Sequence, residues 1–103
     1  MKAPIKELKE LQKLVEQARE AISTGKLDAA EETLRKAFTI DDRHIPAVEM
    51  MAALFEARGK NHQAEQWRAR VKAIRLENWE RQVEAEARGR HEVMGEVVRH
   101  EIP

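Results

Sequence analysis

The chain contains no cysteine. Disulfides, thiolate metal sites and cysteine nucleophiles are excluded at once. Proline and glycine are scarce, three and four in 103 residues, which speaks against a turn-rich sandwich or barrel. Aromatic residues number four, two Trp and two Phe, with no Tyr. The only hydroxyl side chains are Ser23, Thr24, Thr33 and Thr39. No apolar run approaches the length of a membrane span. The opening "MKAPIKELKELQKLVEQ" has no apolar heart of a secretory signal, so the expectation is a cytoplasmic protein without membrane contact. There is no excess charge of either sign: Lys plus Arg and Asp plus Glu are 19 each. A balanced chain has no global electrostatic attraction to nucleic acid or anionic lipid.

What is present is helix-forming and heavily charged, with 42% hydrophobic and 37% charged residues. Pro4 suits a first helical turn. Ile5, Leu8, Leu11, Leu14, Val15, Ala18, Ala21 and Ile22 recur at three- and four-residue steps, the stripe of one amphipathic helix. Thr24-Gly25 ends it, with Gly able to adopt the left-handed C′ conformation. Asp28, with Glu31 three residues on, reads as a capping pair for a second helix. Ala30, Leu34, Ala37, Phe38 and Ile40 form its apolar face, and it stops near "DDRH". Ile45-Pro46 opens a third helix with Val48, Met51, Ala52, Leu54 and Phe55 inward, closed by Gly59.

A fourth helix begins near Asn61. Ala64, Trp67, Val71 and Ile74 make its stripe, and no Pro or Gly occurs between 62 and 88. Leu76, Trp79 and Val83 fall on a different face from Trp67, Val71 and Ile74. The pattern favours one long helix showing two faces over a bend at Glu77-Asn78, with Gly89 as its end. Val93, Met94, Val97, Val98 and Ile102 then mark a weakly amphipathic tail.

Residues 11–44 lie over 45–78 without a gap. Ala18 falls on Ala52, Gly25 on Gly59, Lys26 on Lys60, Ala30 on Ala64, Leu14 on Val48 and Ile40 on Ile74. Both units read helix, glycine turn, helix, with small residues where two helices would approach closely. Phe38, Phe55, Leu34 and Leu54 would fill the space between hairpins. A 34-residue period with this grammar resembles the tetratricopeptide repeat. The match departs from the family pattern where Leu14 and Val48 replace early aromatics, and where Asp42 and Leu76 stand at the usual proline. It covers residues 11–76, about two thirds of the chain.

The resemblance implies an all-α fold of two stacked antiparallel helical hairpins, residues 1–76, with a long fourth helix and a C-terminal extension, 77–103. It implies a partner-binding groove lined by the first helix of each unit, at Gln12, Val15, Glu16, Arg19, Glu49, Met50, Ala53 and Glu56. The Lys/Asn carboxylate clamp of some family members is absent, since Val15, Glu49, Arg19 and Ala53 occupy those places. Met50-Met51 supplies adaptable thioethers. In the extension, Leu76, Trp79, Val83, Met94, Val97 and Val98 are the candidate partner or self-association residues, because an unpartnered apolar patch marks an interface.

Chemistry is poorly represented. No phosphate loop or nucleophile motif occurs. His44 and His62 sit at helix boundaries. His91 and His100 are nine residues apart, the wrong spacing for one helical face, and no metal site is expected. Arg68, Arg70, Lys72 and Arg75, with Trp67 and Trp79 nearby, are the residues a nucleic-acid contact would use, against the neutral overall charge. The expectation is a non-enzymatic interaction module, an adaptor or accessory subunit binding another protein without cofactors. The alternative is a homo-oligomer joined through the long fourth helix.

Overall fold

The computed structural model describes the backbone of residues 5–100 and the side chains of residues 5–87. It is all-helical over that range: α1 Ile5–Ser23, α2 Leu27–Ile40, α3 Ile45–Ala57 and α4 Asn61–His100. Helix α1 pairs with α2 and α3 with α4, and α3 packs against both helices of the first hairpin.

The two hairpin turns are the same structure 34 residues apart. The Gly25 N–H donates to the Ile22 carbonyl (3.0 Å) and the Lys26 N–H to the Ala21 carbonyl (2.8 Å). The Gly59 N–H donates to Glu56 (2.9 Å) and the Lys60 N–H to Phe55 (2.9 Å). These are paired Schellman bonds that satisfy the last carbonyls of α1 and α3. Both glycines have positive φ, 81° and 79°, where a Cβ would clash with the backbone. The Ser23 hydroxyl donates to the Glu20 carbonyl, and the Thr24 hydroxyl to those of Glu20 and Ala21, adding helix-end bonds at α1.

Asp28 does not cap α2. The Ala30 N–H already bonds the Lys26 carbonyl, so Lys26 is the N-cap, without a side-chain cap bond. Asp28 and Glu31 fall inside the first turn, where negative charge suits the helix dipole, and both accept hydrogen bonds from Arg58 instead. At the other end the Arg43 N–H donates to Asp41 Oδ1 (3.0 Å), a local turn that stops α2 in the "DDRH" segment. Pro46 sits in the first turn of α3. Pro4 lies outside the described residues.

The core joins the hairpins. Leu11, Leu14, Val15 and Ala18 of α1 meet Ala30, Leu34 and Ala37 of α2 and Ala47, Met51 and Leu54 of α3. Val48, Val71 and Ile74 form a second cluster between α3 and α4. Alanines at these contacts carry no side chain beyond Cβ, so the helices close on one another, and Leu34 and Leu54 fill the space between hairpins. Burying one such leucine stabilises by roughly 1.5–3 kcal/mol. Trp67 stacks between Phe38 (centroids 5.8 Å apart) and Phe55 (6.5 Å), tying α2, α3 and α4 together. Ile5 and Leu8 continue the α1 stripe but are exposed. Helix α2 is five residues shorter than the 19-residue α1, which leaves the first turns of α1 uncovered.

Helix α4 runs unbroken through Glu77-Asn78, as the pattern favoured. It also runs through Gly89, where an end was expected, and through Gly95. A glycine in a helix interior costs about 1 kcal/mol relative to alanine, a weakening rather than a stop. Met94, Val97 and Val98 are on this helix, and their side chains lie outside the described residues.

Candidate protein-interaction surface

The second hairpin carries an open cleft on the side facing away from the first. Helix α3 contributes Glu49, Ala52, Ala53 and Glu56; helix α4 contributes Arg68, Val71, Lys72 and Arg75. Both sets follow the i, i+3, i+4, i+7 spacing that places residues on one helical face. The cleft has a volume of about 380 Å³. Its floor is Ala52, Ala53 and Val71. Ion pairs close the two ends: Arg75 Nη2 lies 2.8 Å from Glu49 Oε2, and Arg68 Nη2 lies 2.5 Å from Glu56 Oε2. Arg68 also contacts Glu65. These pairs are largely exposed, so each contributes at most about 1 kcal/mol. They set the charge pattern of the rim, acidic along α3 and basic along α4.

The repeat explains what this cleft is. Subtracting 34 from its residues gives Val15, Ala18, Arg19, Ile22, Leu34, Ala37, Phe38 and Asp41. Val15, Ala18, Leu34 and Ala37 are buried in the cluster that includes α3, with Ile22 and Phe38 packed against it. The first hairpin thus covers with α3 the face that the second leaves open. At the equivalent positions Val15 has become Glu49, Ile22 has become Glu56, Leu34 has become Arg68 and Phe38 has become Lys72. Charge replaces apolar residues at these positions, while Ala52 and Val71 keep a narrow apolar floor.

Beyond the cleft, α4 outruns α3. The register set by the Glu49–Arg75 and Glu56–Arg68 pairs puts Ile45, the first residue of α3, level with Trp79. The remainder of α4 projects past the hairpin. Leu76 (54% exposed), Trp79 (59%) and Val83 (41%) line one face of this region. On a helix at 100° per residue they fall on the same side as Lys72, so the stripe continues the basic rim of the cleft.

The residues expected to form a groove divide. Glu49, Ala53 and Glu56 line the cleft. Gln12, Glu16 and Arg19 are exposed on α1, with Arg19 3.9 Å from Glu16. They do not line the α3/α4 cleft. Val15 is 5% exposed in the core and unavailable to a partner. Met50 is half-buried against the core cluster, and Met51 is buried in it. The four α4 residues of the cleft were not assigned to a groove from sequence. The signal for them was the contrast between Leu34 and Phe38 in the first unit and Arg68 and Lys72 in the second.

Among the described residues, the basic side chains of α4 are mostly engaged. Arg68 and Arg75 pair with carboxylates, and Arg70 reaches the Asp42 carbonyl at 3.4 Å. A second, wholly charged depression is lined by Arg43, Glu77, Glu80, Arg81 and Glu84, with Arg43 paired to Glu77. Among the described residues, no three His, Cys, Asp or Glu side chains gather to hold a metal ion, and no helix is long and apolar enough to cross a membrane.

Perturbed titration lies elsewhere, at the hairpin junction. Hydrogen bonds from Arg58, then Arg35, hold the Glu31 carboxyl below its ordinary value. The Glu31 bond raises Arg58 in turn. Burial lowers His44, against the opposing pull of Asp41. These are structural groups at the seam between helices, not members of the cleft.

Comparison with protein-family models, curated proteins and solved structures found no match to this chain.

Proposed function

We propose that this chain is a non-enzymatic protein-interaction module, a small cytoplasmic adaptor or accessory subunit of tetratricopeptide-like build. Its groove is the α3/α4 cleft, and its occupant is an amphipathic helix of another protein. The observation that carries this reading is the open face of the second hairpin, whose equivalents Val15, Ala18, Leu34 and Ala37 in the first hairpin are buried in the cluster that includes α3. A helix with small apolar side chains toward Ala52, Ala53 and Val71 fits the floor. Basic groups toward Glu49 and Glu56, and acidic groups toward Arg68, Lys72 and Arg75, would compete for the ion pairs at the rim. Charge pattern of this kind sets specificity and approach rate more than raw affinity.

The exposed Leu76, Trp79 and Val83 stripe supports a second contact surface on the same molecule. Aromatic anchors of this type carry much of the energy in protein interfaces.

The test is a native pull-down with the full chain, an Ala53→Arg variant that fills the cleft, and a Trp79→Glu variant that spoils the stripe. A stoichiometric partner held by wild type and Trp79→Glu but lost with Ala53→Arg supports the cleft as the binding site. A partner held equally by all three removes the cleft from the mechanism. Recovery of the bait alone removes the adaptor reading.

A further inference from the structure

The face of α4 beyond the cleft carries a pattern that specifies its own occupant. Lys72, Trp79 and Glu86 stand seven residues apart. Seven residues are two helical turns with about 20° of drift, so the three share one face. Leu76 and Val83 flank Trp79 on that face. The result is an apolar centre with a cation on one side and an anion on the other, each about 10.5 Å from Trp79 along the axis. All three side chains are exposed. The face lies roughly 140° around the helix from Trp67, Val71 and Ile74, which point into the hairpin. A second helix can therefore lie along it without displacing α3.

From Asn61 to Ala87 the charges of α4 are segregated in the same sense. Between Asn61 and Arg75 the Asp, Glu, Lys and Arg residues are Glu65, Arg68, Arg70, Lys72 and Arg75; between Leu76 and Ala87 they are Glu77, Glu80, Arg81, Glu84 and Glu86. A parallel second copy would set basic against basic and acidic against acidic. An antiparallel one centred on Trp79 sets Lys72 of each copy level with Glu86 of the other.

We propose that the α4 stripe is a self-association surface, on which a second copy of this chain packs its own α4 antiparallel about a two-fold axis at Trp79. The two Trp79 side chains lie together at the axis. Leu76 and Val83 of both copies enclose them. Lys72 of each copy comes level with Glu86 of the other, so the two-fold forms that ion pair twice. The surface is self-complementary, as a two-fold interface requires. This inference rests on the reading of the stripe as an interaction surface, and names its occupant.

The test uses the full chain. Light scattering across a concentration series should give twice the 11.9 kDa chain mass. Trp79→Glu should weaken the pair by about 30-fold per copy, near 1,000-fold for the dimer, from the cost of losing a central aromatic anchor. Far-UV circular dichroism should be unchanged, because Trp79 is exposed. Lys72→Glu and Glu86→Lys should each weaken association on the order of ten-fold, and mixing the two variants, or combining them in one chain, should restore it. Because the chain has no cysteine, orientation can be read directly. Lys72→Cys mixed with Glu86→Cys should cross-link as a heterodimer on mild oxidation, with little of either homodimer. Homodimeric cross-links at both positions would mean parallel pairing and overturn the proposal. A wild-type monomer at 100 μM or above would overturn it too. If that monomer lost a different protein partner through Trp79→Glu, the stripe would still be an interaction surface and only the self-pairing would fail.

Discussion

Replacing Arg58 with methionine tests whether the hairpins are clamped at their junction. Arg58 stands at the C-terminus of α3 and reaches back to the first turn of α2. Its Nη1 donates to Glu31 Oε1 and its Nη2 to Asp28 Oδ1, both at 2.7 Å. The Arg58 and Glu31 side chains are each 19% exposed, whereas Asp28 is fully exposed, so the energy resides in the Glu31 bond. The guanidinium also lies 5.5 Å from the Phe55 ring centroid, and Phe55 stacks on Trp67. A charge-assisted hydrogen bond is worth about 1.5–3 kcal/mol. Arg35, 2.5 Å from Glu31, takes up part of the loss, and methionine preserves the apolar stem contacts. The expected cost is about 1–2 kcal/mol, or a Tm lower by roughly 5–10 °C. Arg35→Met, which removes an exposed i,i+4 pair, should cost no more than about 0.5 kcal/mol. The sign with pH follows from the lowered Glu31 pKa. Its contribution is present above the unfolded value of 4.5 and is lost as pH falls through the lower folded value. Urea unfolding of wild type and Arg58→Met should therefore differ more at pH 7 than at pH 3, and a double-mutant cycle with Glu31→Gln should show coupling at pH 7. A cost below about 0.5 kcal/mol at pH 7, or the same cost at both pH values, would refute the clamp.

Three further outcomes follow from the packing. Leu34→Ala empties a fully buried site between the hairpins and should cost about 2–5 kcal/mol by chemical denaturation. Gly25→Ala and Gly59→Ala should each cost about 1 kcal/mol and by similar amounts, since both glycines have φ near +80° with nothing within 4 Å of the added Cβ; a cost at one site alone would break the equivalence of the two turns. Burial lowers the His44 pKa, so its contribution is complete above the unfolded value of 6.5 and fades as pH falls through the folded value. His44→Asn, which removes the imidazole and places a residue favoured at the N-cap of α3, should flatten the change in Tm between pH 7 and pH 5.

The hairpins were legible because their signals are local. Glycine at a fixed 34-residue interval announces a turn that needs positive φ, and the period of the apolar residues announces the faces. Val15 shows where such reading stops. As one position in a first helix it resembles a groove residue, yet it lies under α3, because a stacked hairpin buries on one unit what it exposes on the next. Asp28 and Glu31 show the same limit. Their spacing is that of a capping pair, but a guanidinium 27 residues further along the chain offered the stronger bond to Glu31.

Helix content, hairpin boundaries, turn chemistry and the unlike faces of α4 were written into the chain itself, since each depends on neighbours a few residues away. Which surface stayed open was decided only in three dimensions. The cleft exists because Glu49, Glu56, Arg68 and Lys72 stand where Val15, Ile22, Leu34 and Phe38 stood one hairpin earlier, and the α4 stripe is bare because α3 packs on another face of α4, against Val71 and Ile74. Those facts depend on the register between helices, which no single helix carries.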